Sequence, residues 1–192
     1  MVSSGEWTVR GASPDDVAAI CQFGEAHIRP HYAPLIGAAA ADEQVRMWWN
    51  EKHIGSAVAN GLVVVAEDDG QIVGVGQRGR EGADHVVYKL YIRPDYRGRG
   101  LGPQLIDALI RQLPDDADRL YVEHFVANER ASRFYEREGF TVVRTEPSPT
   151  GGPGNGRCVA PAPSGAACAA VPASLRGDIG SCRRRGVTVC HE

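Results

Sequence analysis

The chain has 192 residues, 43% hydrophobic and 23% charged, with a formal net charge of -3; this suits one domain with a real core, or one domain plus an appendage, and excludes collagen, coiled coil and wholesale disorder. No apolar run approaches the ~20 residues that span a bilayer, and Met1–Glu6 lacks both a basic start and a hydrophobic stretch. A cytoplasmic protein with no membrane and no nucleic-acid partner is expected.

In chain order, Trp7-Thr8-Val9-Arg10 reads as a first strand. Ser13-Pro14-Asp15-Asp16 then offers an N-cap, a first-turn proline and acids suited to the positive end of a helix. Val17, Ile20, Cys21, Gly24 and Ile28 place one apolar stripe on that helix, which Pro30 is expected to end. A second helix is expected from about Asp42 to Ile54. Two β segments, Gly61–Glu67 and Gln71–Val75, flank Asp69-Gly70, a pair that tolerates positive φ at both centres of a hairpin. His85–Ile92 is a third strand, and Gly100–Leu113 carries Leu101, Leu105, Ala108, Leu109 and Leu113 on one helical face. Leu120–Phe125 is a further strand. Asn128 can cap a helix that ends at Gly139, after which Thr141-Val142-Val143 resumes a strand. The order is that of an α/β fold with a hairpin-rich first half.

Composition changes near residue 146. Residues 1–146 hold 16 basic and 22 acidic residues, whereas 147–192 hold five arginines against Asp178 and Glu192, so an acidic domain over 1–146 is followed by a basic, low-complexity tail over 147–192. That tail is expected to be disordered. Cys158, Cys168, Cys182 and Cys190 have no metal-ligand spacing, and no metal is expected. Nothing after Thr141–Arg144 reads as a final strand, because Arg157-Cys158-Val159-Ala160 is short and meets Pro161, and Val187–Cys190 lies far along the tail. The uncovered edge would leave a homodimer open.

The most informative stretch is Lys89-Leu90-Tyr91-Ile92-Arg93-Pro94-Asp95-Tyr96-Arg97-Gly98-Arg99-Gly100-Leu101-Gly102. A strand leads through a glycine-rich turn into an amphipathic helix, so backbone N–H groups and the positive helix end converge where a phosphate could sit. The glycines admit close approach, and Arg97 and Arg99 can add charge-assisted bonds. Pro103 removes one donor from the first turn. Neither the Walker loop nor the dinucleotide fingerprint matches this spacing. A plain tight turn closing a helix onto a strand remains an alternative.

Arg97-x-x-Gly100-x-Gly102 resembles the pyrophosphate loop Arg/Gln-x-x-Gly-x-Gly/Ala of the GNAT superfamily of acetyl-CoA-dependent N-acetyltransferases. Leu90-Tyr91-Ile92 with Pro94 is similar to that family's central strand and its exit. Asn128-x-x-Ala131-x-x-Phe134-Tyr135-x-x-x-Gly139-Phe140 is similar to its second motif. The resemblance covers Trp7 to Arg144 and is densest from Leu90 to Phe140.

It implies a mixed, mostly antiparallel twisted sheet flanked by helices, with acetyl-CoA as acetyl donor and a small-molecule or peptide amine as acceptor. The backbone of Leu90, Tyr91 and Ile92 would hold the pantetheine arm, and Arg97, Gly98, Arg99, Gly100, Leu101 and Gly102 the pyrophosphate. Asn128 would bond the donor's arm, and Tyr135 would protonate the departing thiolate as the amine attacks directly. A tyrosine hydroxyl, with an ordinary pKa of ~10, can serve as that acid. Tyr135 equally fits a core aromatic beside Phe134, and Asn128 a simple helix cap. Many members carry a glutamate early in the central strand, where this chain has His85-Val86-Val87-Tyr88, so the general base is unassigned. That gap supports the rival reading, a non-catalytic acyl-CoA-binding or regulatory module. His27, His31, Tyr32, Trp48, Trp49 and His53 would wall the acceptor side, and the acidic body favours a cationic amine.

Overall fold

The computed structural model describes residues 7–117, 119–146 and 157–161. The chain divides into two compact units, Met1–Gly79 with Tyr88–Gln112, and Arg80–Val87 with Leu113–Glu192. The architecture is the mixed α/β one expected, mostly antiparallel and with flanking helices.

In the first unit, β1 (Thr8–Gly11) is followed by a 3-10 turn at Pro14–Asp16, α1 (Val17–Ile36), α2 (Ala38–Trp48) and α3 (Glu51–Ala59). Then come β2 (Val63–Asp68), most of β3 (Gln71–Glu81), the second half of β4 (Asp84–Ile92) and α4 (Leu101–Arg111). β1 pairs antiparallel with β2, and β2 antiparallel with β3, through a turn whose Asp69 and Gly70 adopt φ 49° and 71° as the hairpin requires. Val63 to Ala66 are all buried, so β2 is covered on both faces and reads as a continuous apolar run.

Gly74 and Gly76 of β3 let α4 lie close against the strand. A Cβ on Gly76 would stand 2.9 Å from Val64 and 3.1 Å from Leu109, and one on Gly74 would stand 3.1 Å from Leu105. Leu101, Leu105 and Leu109 recur every fourth residue on that face and are buried. Arg78 of β3 donates to the carbonyl of Gln112 at 2.5 Å, placing a cation at the negative end of α4.

Two helix boundaries differ from expectation. α1 does not stop at Pro30 but runs through Pro30 and Pro34 to Ile36. The prolines are one turn apart, so both missing N–H donors fall on one side of the helix, while Ile28 and Tyr32 are buried on the other register. Each proline costs ~3 kcal/mol, and burying a large side chain returns ~1.5–3 kcal/mol, so packing of the second half can hold the helix together. The expected helix over 42–54 is two helices, broken at Trp49 and Asn50. Asn50 caps α3 by accepting from the backbone of His53 at 3.0 Å.

In the second unit, the first half of β4 runs parallel to β5 (Leu120–Phe125), with Val86 opposite Tyr121. α5 (Glu129–Arg137) follows, and Gly139 takes φ 85° at its end as expected. The strand expected at Thr141–Val143 forms later, as β6 (Arg144–Glu146). The last strand, expected to be missing, is supplied by β7 (Arg157–Pro161), which pairs antiparallel with β5 and with β6. Five residues suffice for it, and Pro161 falls at its final position, where a missing donor is tolerated. The expectation of disorder over the rest of 147–192, including Val187–Cys190, lies outside the described residues.

Candidate active site

The glycine loop grows out of β4. Arg93 donates its backbone N–H to Val73 at 2.9 Å, which holds the end of β4 against β3, and a 3-10 turn at Pro94–Tyr96 then reverses the chain. Gly98 and Gly100 adopt φ 72° and 86°, in the left-handed region that favours glycine. A Cβ at either would meet nothing within 4 Å. The glycines are thus required by backbone conformation, and the space beside them is open, as a phosphate cradle needs. Gly100 is the N-cap of α4, and Leu101 and Gly102, both buried, form its first turn. The positive end of an eleven-residue helix therefore faces the loop.

Aromatic and polar contacts brace this loop. Arg97 donates from Nε to the carbonyl of Ile92 at 3.0 Å, tying the loop's first residue to the strand it leaves. The Arg99 guanidinium lies over the rings of Trp7 and Tyr96, 5.2 Å from each centroid. Trp7 donates to Gln104 of α4 at 3.1 Å, and the Tyr96 hydroxyl donates to Asp68 at 2.7 Å. Both arginines expected to face phosphate therefore also position the loop itself.

The helical wall in the same unit is aromatic. Tyr32 and Tyr91 join through their hydroxyls, His31 and Trp49 meet the Tyr91 ring edge to face, and Phe23 contacts His27 and Trp49. Trp49 is buried against Gly24, where a Cβ would come within 2.6 Å of the indole. Trp48 is exposed and packs edge to face on His53. Burial, reinforced by the cations of Arg93 and Arg97, lowers the pKa of His27, favouring its neutral form.

Lys89 was not singled out from sequence as a site residue. Its side chain is buried on β4, donates to Gln77 Oε1 at 2.7 Å and lies 5.5 Å from the Trp49 ring centre. Desolvation pushes its pKa down to about 8. The available signal was a lysine in a chain with only two, alternating with Val87 and Tyr91 along a strand whose other residues from Val86 on are aliphatic or aromatic.

In the second unit, Asn128 caps α5, its side-chain oxygen accepting from Ala131 N at 3.2 Å, so the cap reading is realised. Tyr135 is buried, stacked on His124 with centroids 5.6 Å apart, and meets Phe134 and Phe140 edge to face. Burial lowers the pKa of His124, whose Nδ1 lies 3.0 Å from the Phe125 carbonyl. The structure thus gathers Leu90, Tyr91, Ile92 and Arg97 to Gly102 in one unit, and Asn128 with Tyr135 in the other. Among the described residues, no helix is long and apolar enough to cross a membrane, and no cluster of three acidic, histidine or cysteine side chains could hold a metal ion.

Residues 59–142 match the acetyltransferase (GNAT) domain. Over 95 residues the chain is 41% identical to a mycothiol acetyltransferase of Propionibacterium freudenreichii, covering 45% of this chain and 29% of that protein. Over 146 residues it is 27% identical to the L-amino acid N-acyltransferase MnaT of Escherichia coli, covering 73% of this chain and 83% of the relative. In structure it resembles the PaiA N-acetyltransferase of Thermoplasma acidophilum, solved in complex with coenzyme A. That likeness has a TM-score of 0.67 at 14% identity and covers 81% of this chain and 98% of the other, which speaks to the fold.

Proposed function

From the GNAT acetyltransferase domain that this chain carries, we propose that it transfers an acetyl group from acetyl-CoA to the amine of a small-molecule acceptor. The observation that carries this reading is the loop Arg97–Gly102, left-handed at Gly98 and Gly100, which opens α4 with free space beside it. Its N–H groups and the helix dipole supply what a pyrophosphate needs. The backbone of Leu90 to Ile92 would align the pantetheine arm, and Asn128 would assist it beyond its capping role.

In this reading the neutral amine attacks the thioester carbonyl directly. The new N–C bond forms, the C–S bond breaks, and the nitrogen's surplus proton leaves to solvent or a base. Tyr135 gives its phenolic proton to the departing thiolate. The relatives' names, which specify mycothiol and L-amino acids for those proteins, support a small amine as acceptor. The test is thiol release from acetyl-CoA across an amine panel, with the acetylated products identified by mass. Transfer to at least one amine is expected; acetyl-CoA binding with no release on any amine would instead favour the acyl-CoA-binding module.

A further inference from the structure

Lys89 is a buried cation whose partners are neutral. Among the described residues its ammonium meets the Gln77 amide oxygen and the Trp49 indole face, and no carboxylate forms an ion pair with it. A buried charge is costly unless paired, and an amide oxygen with a π face compensates it only in part. Lys89 also directly precedes Leu90 to Ile92 on β4. Its partner Gln77 lines a cleft of about 350 Å³, together with Lys52, His53, Ser56 and Asn60. No acidic side chain lines that cleft among the described residues, although the body of the protein is acidic. Its walls offer the Lys52 ammonium and hydrogen-bonding groups, with Lys89 behind Gln77, the complement of a small anion, and its volume lies in the range of small-molecule sites.

We propose that Lys89 seats a carboxylate of the acceptor, so that the amine acetylated here is that of an α-amino acid. The inference rests on the acetyltransferase reading and adds the charge of the acceptor. It reverses the expectation of a cationic amine drawn from net charge. A purely cationic acceptor would meet Lys89 and Lys52 as like charges, whereas an amino acid carries its own counter-ion beside the nitrogen. The ammonium binds and orients; no proton transfer is assigned to it.

The experiment compares the standard L-amino acids with their carboxamides on the intact protein, by equilibrium binding and by acetylation with acetyl-CoA. A charge-assisted hydrogen bond predicts that the preferred amino acid binds about 10- to 100-fold more tightly than its amide. Lys89→Met should bring that ratio to near one while acetyl-CoA affinity holds. Gln77→Glu is the second variant: it sets a carboxylate beside Lys89 inside the protein and should abolish the preference without removing the lysine. An amide that binds as well as its acid in the wild type, or a preference that survives both variants, overturns the inference. Failure of acetylation on every amine counts against the acetyltransferase reading, while the binding ratio still decides the role of Lys89.

Discussion

The side chain of Arg97 is bonded back to the strand it follows, its Nε donating to the carbonyl of Ile92 at 3.0 Å. The glycine loop is therefore not held by its own turn alone. Replacing Arg97 with alanine removes this tie as well as a positive charge, and should weaken coenzyme A binding by about 10-fold, the loss of one charge-assisted bond. Lysine should restore only part of the affinity, because its ammonium lacks the directional Nε donor. Calorimetric titration of both variants with coenzyme A measures this.

Gly100 is left-handed at φ 86° with nothing within 4 Å of an added Cβ, so any side chain there suffers backbone strain without a clash. Asparagine and aspartate share that strain, ~1–2 kcal/mol at most since both tolerate the conformation, and differ in charge. Gly100→Asp is expected to abolish coenzyme A binding, while Gly100→Asn loses stability similarly and still binds. Equal affinity in the two variants would remove the phosphate from this loop.

Tyr135 packs against His124, Phe134 and Phe140 by its ring. Tyr135→Phe keeps those contacts and deletes only the hydroxyl. It should lower kcat by about 10²-fold with little change in the KM for acetyl-CoA. A full-rate variant would return Tyr135 to a packing role alone.

The Lys89 pKa of about 8 lies below its ordinary value of 10.5. The folded protein thus releases this proton before the unfolded chain does, so the cost of burying the charge is present in full below pH 8 and relieved as pH rises toward 10.5. Over that window wild type should gain ~3 kcal/mol relative to Lys89→Met, from the size of the shift. Urea denaturation of both proteins at pH 7.5 and pH 10 measures it. Preference for an acidic acceptor should run oppositely, strong below pH 8 and lost above it as the ammonium deprotonates.

The fold was legible where one local signal and tertiary structure agree. The Asp69-Gly70 turn, the Asn128 cap, the left-handed Gly139 and the apolar face of α4 all formed as their residues dictate. The expected loop glycines were legible for the same reason, since Gly98 and Gly100 occupy backbone space closed to most residues. Pro30 and Pro34 misled because a local cost is outweighed by burial of residues such as Ile28 and Tyr32, which no helix rule sees. β7 was missed because five residues gain strand geometry from pairing with β5 and β6 rather than from a pattern of their own. Lys89 was given no role from sequence because its meaning lies in long-range neighbours, Gln77 twelve residues away and Trp49 at the C-terminal end of α2.

The most direct test of catalysis is a mass balance on acetyl-CoA with the intact protein and a panel of amines. One free thiol and one N-acetylated amine are expected for every acetyl-CoA consumed, with no turnover by Gly100→Asp. Tight binding of acetyl-CoA without acetylation of any amine would contradict acetyl transfer as the function.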